Sequence, residues 1–377
     1  MHYNPHILDR MIGPAGEIFL KVRVERLLPE ELSLLRQASP VFAKSSVKEV
    51  RGEETLAIGF AALRSEMEAA VRILASLPDF ARLSAEMGEM LEGERRSRHA
   101  VKVRMECRGR ELDMRERTLV MGILNVTPDS FSDGGSYITI EAAVRRAKEM
   151  EAEGADLIDL GGESTRPGAE KVPLETELER VIPVVKALQG EIGIPISIDT
   201  YKAEVAREAL KAGAHLINDQ WRLTADPEMA RVIRDFGCPV ILMHNNRERK
   251  EGNIISSMIS DLRESLDIAK QAGIREDRII LDPGIGFAKS YEDNLTVMNG
   301  LKALSCLGYP VLLATSRKSM IRLTLDLPPD DVVEGTAATL VYGMVQGCQM
   351  VRVHDVKQMK RVVKMADAML DRGLAVD

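Results

Sequence analysis

From about residue 115 onward, short apolar runs alternate with segments whose apolar residues recur every three to four positions. The runs are LVMGILNV (119–126), ADLIDLGG (155–162), PISIDT (195–200), HLINDQ (215–220), PVILMHN (239–245), IILDPG (279–284), PVLLAT (310–315) and QMVRVHD (349–355). Their length and β-branched content predict buried strands. Between them, EAAVRRAKEMEAEG, ETELERVIPVVKALQG, KAEVAREALKAG, DPEMARVIRDFG and DLRESLDIAKQAG carry helical spacing and stop at Gly, as helix C-termini do. Eight such units in series predict an α/β fold of the closed (β/α)8 TIM-barrel kind, in preference to an open doubly wound sheet.

Ahead of this series, VKVRMECRGRELDM (101–114) alternates and turns at Arg108-Gly109. That pattern predicts a β-hairpin, placed to plug the bottom of the barrel. The charged segment GERRSRHA (93–100) reads as irregular and is taken as the domain boundary. A small N-terminal α/β domain over residues 1–98 would then precede a barrel over 99–377. In that domain EIFLKVRVERL (17–27) and TLAIGF (55–60) read as strands, and RSEMEAAVRILASL and FARLSAEMGEML as helices. Their Met and Leu residues fall at core spacing, and no catalytic constellation is legible there.

The ends of the eight barrel runs are polar. Asn125 ends the first, Glu163 follows the second and Asp199 ends the third. Asn218 and Asp219 end the fourth, His244 the fifth and Asp282 the sixth. Thr315-Ser316-Arg317-Lys318 follows the seventh, and Arg352, His354 and Asp355 end the eighth. One Asp at a strand end commonly caps a turn. A whole ring of them is more than a scaffold needs, because each buried polar group requires a partner. In a barrel these positions converge on the C-terminal mouth, where active sites are built, so the chain reads as an enzyme. The loops TPDSFSDGG (127–135) and GGESTRPGAEK (161–171) suit lids that exclude water. Arg352 and His354 sit two apart and share one strand face. A guanidinium forks onto phosphate oxygens, and an imidazolium beside it would add charge.

Composition narrows the partners. A net charge of -7 argues against general nucleic-acid binding, and 4% aromatics against single-strand stacking platforms. Cys107, Cys238, Cys306 and Cys348 form no CxxC pair, and they read mainly as small core residues. Neither a secretory leader nor an apolar stretch of membrane-spanning length is present in the sequence, so a cytoplasmic protein is expected.

MGILNVTPDSFSDGG and ADLIDLGGESTRPGA resemble the two signature segments of the dihydropteroate synthase family. SIDT, HLIND, LMH, LDPGIGF, TSRKSM, EGTAA and VRVHDV continue the resemblance in order, over roughly residues 100–375. The family condenses 6-hydroxymethyl-7,8-dihydropterin diphosphate with 4-aminobenzoate, giving 7,8-dihydropteroate and diphosphate. The resemblance implies that Arg352 and His354 bind the diphosphate and that Asn125 is a ligand to Mg2+ held by it. It implies that Asp282 reads the pterin edge, with Asn218 and Asp199 completing the polar pocket. Lys318 would bridge the pterin and the face where aminobenzoate arrives, and Phe287 and Met243 would form apolar walls. Thr165, Arg166, Pro167 and Ser319 belong to the region receiving aminobenzoate and its sulfonamide mimics, and Asp133 helps order the first loop. The implied route is dissociative, with Asp199 near a dihydropterin methylene cation, and a homodimer is implied as well. Two other activities would share the pterin pocket: a methyltetrahydrofolate-dependent corrinoid methyltransferase and a non-catalytic pterin-binding barrel. The two loops, Lys318 and the Arg352–His354 pair favour the synthase. The chain departs from the family at Trp221, at Ala314 and in the Asn245–Asn253 loop.

Overall fold

The computed structural model describes residues 3, 5–12, 18–43, 45–49, 56–100, 103–126, 136–163, 171–246, 248 and 253–370. It divides into two compact units. The first comprises Met1–Ala100 with Glu248–Ser260 and Asn299–Tyr309; the second comprises the remaining three stretches.

In the first unit the elements run β1 (His6–Ile12), β2 (Ile18–Leu27), α1 (Pro29–Ala38), α2 (Pro40–Ala43), β3 (Ser46–Glu49), β4 (Leu56–Leu63), α3 (Arg64–Ala75) and α4 (Ala81–Ala100). The strands form an antiparallel sheet in the order β1-β2-β4-β3. Along β2, Leu20, Val22 and Val24 point inward while Lys21 is exposed, the period-two alternation of a half-buried strand. They pack with Leu35, Phe42, Met67, Leu74, Leu83 and Met87 from the helices. β2, β4, α3 and α4 match the sequence reading; β1, β3, α1 and α2 are additional. The stretch 93–100, expected to be irregular, is instead the last part of α4. Arg95 pairs with Glu92 one turn earlier at 2.6 Å, while Glu94 is buried.

The second unit opens with the hairpin β5 (Arg104–Cys107) and β6 (Arg110–Asp113), turning at Arg108 and Gly109 with φ of 51° and 88°. Next come β7 (Leu119–Asn125), α5 (Ser136–Glu153), β8 (Leu157–Gly161), α6 (Leu174–Leu188), β9 (Ile196–Asp199), α7 (Ala203–Ala212), β10 (Leu216–Asp219), α8 (Met229–Phe236) and β11 (Val240–Met243). α9 (Ile254–Ala272), β12 (Ile279–Asp282), α10 (Tyr291–Asn299), α11 (Leu301–Ser305), β13 (Leu312–Leu313), α12 (Ser319–Leu325), α13 (Val333–Val345), β14 (Met350–Val353) and α14 (Val356–Met369) complete the chain. α11 and the start of α9 belong to the first unit.

The eight strands β7–β14 form one parallel sheet, ordered β12-β11-β10-β9-β8-β7-β14-β13. A parallel bridge from Leu281 to Val311 joins its two ends, which closes the (β/α)8 barrel. Met105, Cys107, Leu112 and Met114 of the hairpin pack against Leu119, Leu157, Leu216, Ile280 and Met350. The hairpin therefore plugs the N-terminal end of the barrel and leaves the other mouth for chemistry. Beside the hairpin lies an open cavity of about 360 Å³, where Arg117 pairs with Asp156 and Asp113 with nearby Arg115, each at 2.6 Å. All four cysteines are buried and unpaired to one another. No helix among the described residues is long and apolar enough to cross a membrane.

Candidate active site at the barrel mouth

Asn125, Gly161, Asp199 and Asn218 are register partners on four consecutive strands, β7 to β10. Register partners project to the same level of a sheet, so these residues form one row at the C-terminal rim. Gly161 leaves a notch in the row. A Cβ built there would lie 3.5 Å from Asn125 Oδ1 and 3.7 Å from Asp199 Oδ2.

Beneath the row runs a buried polar network. Asp159 Oδ2 accepts Arg352 Nε at 2.6 Å and Asn218 Nδ2 at 3.0 Å. Arg352 Nη2 donates to Asp199 Oδ2 at 3.2 Å, and Gln220 Nε2 donates to both oxygens of Asp199 at 2.5 and 2.6 Å. Two carboxylates thus share one guanidinium. Burial, and then the charge of Asp159, push the Asp199 carboxyl upward, while Arg352 pulls it back. Arg352 spends two of its five N–H donors on this network, which leaves three for a ligand. Asp159 Oδ1, Asn218 Oδ1 and Gln220 Oε1 are buried without a hydrogen-bond partner. Ligand-free acceptors of this kind are expected where a substrate with donor groups docks.

Asp282 ends β12, is fully buried, and accepts the Gly284 N–H at 2.7 Å. Burial raises its carboxyl to about 6, against the pull of the Gly284 N–H, Lys318, Arg352 and Lys289. Asp282 closes its strand at the same C-terminal mouth as Arg352 in β14 and Lys318 after β13. Lys318 stands over the Phe287 ring, its Nζ 4.0 Å from the centroid, a cation–π contact. Met243, register partner of Asp282, is buried, and Ser319 opens α12 directly after Lys318.

His354 follows β14. Its Nδ1 lies 3.1 Å from Ser316 Oγ, which also accepts the His354 backbone N–H at 3.2 Å. Burial, with Arg352 and Arg317 adding to it, lowers the imidazole to about 3. Without a bound anion, burial and the charges of Arg352 and Arg317 thus favour the neutral ring of His354. Arg317 is itself turned toward Asp355, with contacts of 3.1 and 2.6 Å.

At the rim, Lys202 Nζ contacts Glu163 at 2.5 Å, the Val172 carbonyl at 2.8 Å and also Glu177. Trp221 is 39% exposed and meets Tyr201 edge-on at 6.2 Å, so it packs at the rim but is not covered by it. Asp133, Thr165, Arg166 and Pro167 lie outside the described residues.

The structure brings together Asn125, Asp199, Asn218 and Arg352, and sets Lys318 over Phe287 in the turn that follows Asp282. Asp159 and Gln220 were missing from the sequence reading. Gln220 follows the last strand residue and gives no local signal. Asp159 does give one: a carboxylate inside the apolar run ADLIDLGG, in a strand buried along its whole length, must have a buried partner.

No group of three or more His, Cys, Asp or Glu side chains could hold a metal ion among the described residues. Asn125 offers a single hard amide oxygen at the Gly161 notch. That donor fits Mg2+, which keeps most of its shell in water and substrate phosphates.

A family model described as pterin binding enzyme matches residues 121–354. A dihydropteroate synthase from Bacillus subtilis (strain 168) is 59% identical over 262 residues, covering 70% of this chain and 92% of that protein. Among solved structures, a dihydropteroate synthase from Clostridium difficile, determined in the presence of pteroic acid, is 49% identical with a TM-score of 0.66. It spans 67% of this chain and 97% of its own. A Xanthomonas albilineans dihydropteroate synthase with 4-aminobenzoic acid is 42% identical with a TM-score of 0.68, over 71% of this chain and 98% of its own. The chain belongs to the pterin-binding enzyme family, among the dihydropteroate synthases.

Proposed function

We propose that this enzyme condenses 6-hydroxymethyl-7,8-dihydropterin diphosphate with 4-aminobenzoate, releasing diphosphate and forming 7,8-dihydropteroate. One observation carries the reading: Asn125, Asp199, Asn218, Asp282 and Arg352 lie at the C-terminal ends of parallel strands in one closed barrel, and Lys318 follows another. The pterin presents an amino group and a ring N–H side by side, and a carboxylate such as Asp282 meets them with two parallel hydrogen bonds. The unpartnered acceptor of Asn218 suits the same polar edge.

At the other end of that substrate, the remaining N–H groups of Arg352 and the ring of His354 take the diphosphate oxygens. Asn125 would hold Mg2+ beside the diphosphate, and the ion when bound would neutralise charge on the leaving group. The C–O bond breaks first, and the bonding pair leaves with the diphosphate. The methylene cation left behind is delocalised into the ring, with Asp199 close by to stabilise it. The neutral aryl amine then attacks, and its proton is lost after the C–N bond forms. Lys318 stands between the pterin and the incoming amine, with Phe287 beneath it. Excluding water matters here, since water would trap the cation as the alcohol. Thr165, Arg166, Pro167 and Ser319 receive the aminobenzoate and Asp133 serves the first loop in this reading. We also read the enzyme as a cytoplasmic homodimer.

A corrinoid methyltransferase would share the Asp282 contact but has no diphosphate for Arg352 and His354. The deciding assay measures diphosphate release. Release that requires the pterin diphosphate, 4-aminobenzoate and Mg2+ together supports the synthase. A folded preparation that releases none with all three present overturns it.

A further inference from the structure

Lys289 is absent from every role assigned so far, yet its nitrogen is fully engaged. Nζ donates to the carbonyls of Gly284 at 2.9 Å, Phe287 at 3.1 Å and His244 at 3.2 Å. The first two belong to the turn that leaves β12; the third closes β11. An ammonium has three donors, and all three go to backbone oxygens rather than to a carboxylate.

The turn it gathers carries the pterin-facing groups. Gly284 directs its N–H to Asp282, and Phe287, which lies under Lys318, closes the turn by donating its N–H to the Gly284 carbonyl at 3.1 Å. The fit is tight. Gly284 has φ of 67°, and a Cβ there would fall 1.9 Å from the His244 carbonyl oxygen and 3.2 Å from Lys289 Nζ. The same carbonyl approached by the turn is one that Lys289 binds. Asn294 holds the turn from its far side by accepting the Gly286 N–H at 2.7 Å.

We propose that Lys289 is a positioning residue for the pterin half of the site: it ties the end of β11 to the turn after β12, and so sets where Asp282 and Phe287 stand. The inference rests on the synthase reading above. Burial lowers the amine to about 7, opposed by Asp282, Asp293 and Asp261 and aided by Lys318. The group acts through the geometry of its hydrogen bonds to three carbonyls, so a neutral donor should replace it in part.

Lys289→Met removes the donors at similar volume, and Lys289→Gln keeps two of them. Steady-state kinetics in both substrates is expected to show the KM for the pterin diphosphate rising about tenfold in Lys289→Met, the equivalent of one lost buried hydrogen bond. The KM for 4-aminobenzoate should stay within about twofold, and Lys289→Gln should fall between wild type and Met. Equal rises in both KM values, a fall in kcat alone, or no change would overturn the assignment. Should Lys289→Met fail to fold, the split between the two KM values in Lys289→Gln decides alone. Wild type that turns over normally beside an unaffected variant sinks only the role of Lys289; wild type without turnover sinks the synthase reading.

Discussion

Asp159 Oδ2 accepts the Nε–H of Arg352 at 2.6 Å, joining residues 193 positions apart in the sequence. The same oxygen takes Asn218 Nδ2, while Arg352 reaches on to Asp199. A single buried carboxylate thereby fixes a residue proposed for the diphosphate and one proposed for the pterin.

Breaking a buried ion pair typically costs about 3–5 kcal/mol, because the remaining charge is left uncompensated. Asp199 still faces Arg352 in Asp159→Ala, so a loss of about 3 kcal/mol in urea unfolding is expected, the lower end of that range. Asp159→Asn removes the neighbouring charge that helps raise the Asp199 carboxyl. Its kcat/KM profile should therefore have an acid limb displaced to lower pH. An unmoved limb would mean that Asp199 does not titrate in the profile.

Arg352→Ala should weaken the pterin diphosphate by about 1.5–3 kcal/mol, the range for hydrogen bonds to charged groups. Affinity for 4-aminobenzoate should be unchanged. Calorimetric titration of each ligand separates the two, and equal losses would show that Arg352 supports the whole mouth instead.

Asp282 illustrates a conflict between stability and function. Its carboxyl is raised to about 6, above the usual unfolded value near 4. Below about pH 4 both states are protonated and the group is neutral to stability. As pH rises toward 6 the folded chain retains a proton that the unfolded chain has lost, and stability falls. Above about pH 6 the full penalty is present, up to about 3 kcal/mol. Asp282→Asn is accordingly expected to raise the melting temperature of the ligand-free protein at pH 7.5 while abolishing measurable pterin binding. A lower melting temperature would mean that the carboxylate is stabilised in ways the geometry does not account for.

Gly161→Ala tests the notch between Asn125 and Asp199. The added Cβ meets its neighbours at 3.5–3.7 Å, ordinary contact distances, so folding stability should stay within about 0.5 kcal/mol of wild type. Filling the notch should nevertheless reduce turnover at least about tenfold and raise the Mg2+ concentration needed for half-maximal rate. A variant with normal Mg2+ dependence would move the metal away from Asn125.

Much of the barrel was legible because its signals are local. The Arg108-Gly109 turn, the eight apolar runs and the glycines closing the helices each follow from a few neighbouring residues. Gly213 and Gly237, for example, end α7 and α8 with φ of 112° and 60°. β3 was missed because four residues carry little periodicity, and β1 because HILDRMI groups its apolar residues in pairs, across a register shift between Ile7 and Asp9. The stretch 93–100 was misread because GERRSRHA, polar apart from its Gly and Ala ends, has no apolar stripe to announce a helix.

What the sequence determined by itself was the order of the barrel strands, the polar residues at or just after their ends, and therefore the location of chemistry at one mouth. Which of those polar groups meet was decided only in three dimensions. Asp159 finds Arg352, Gln220 finds Asp199, and Lys289 finds the carbonyl of His244 through the stagger and closure of the sheet. Residues far apart in the chain are brought to one level by that closure, and no periodicity along a single strand encodes it.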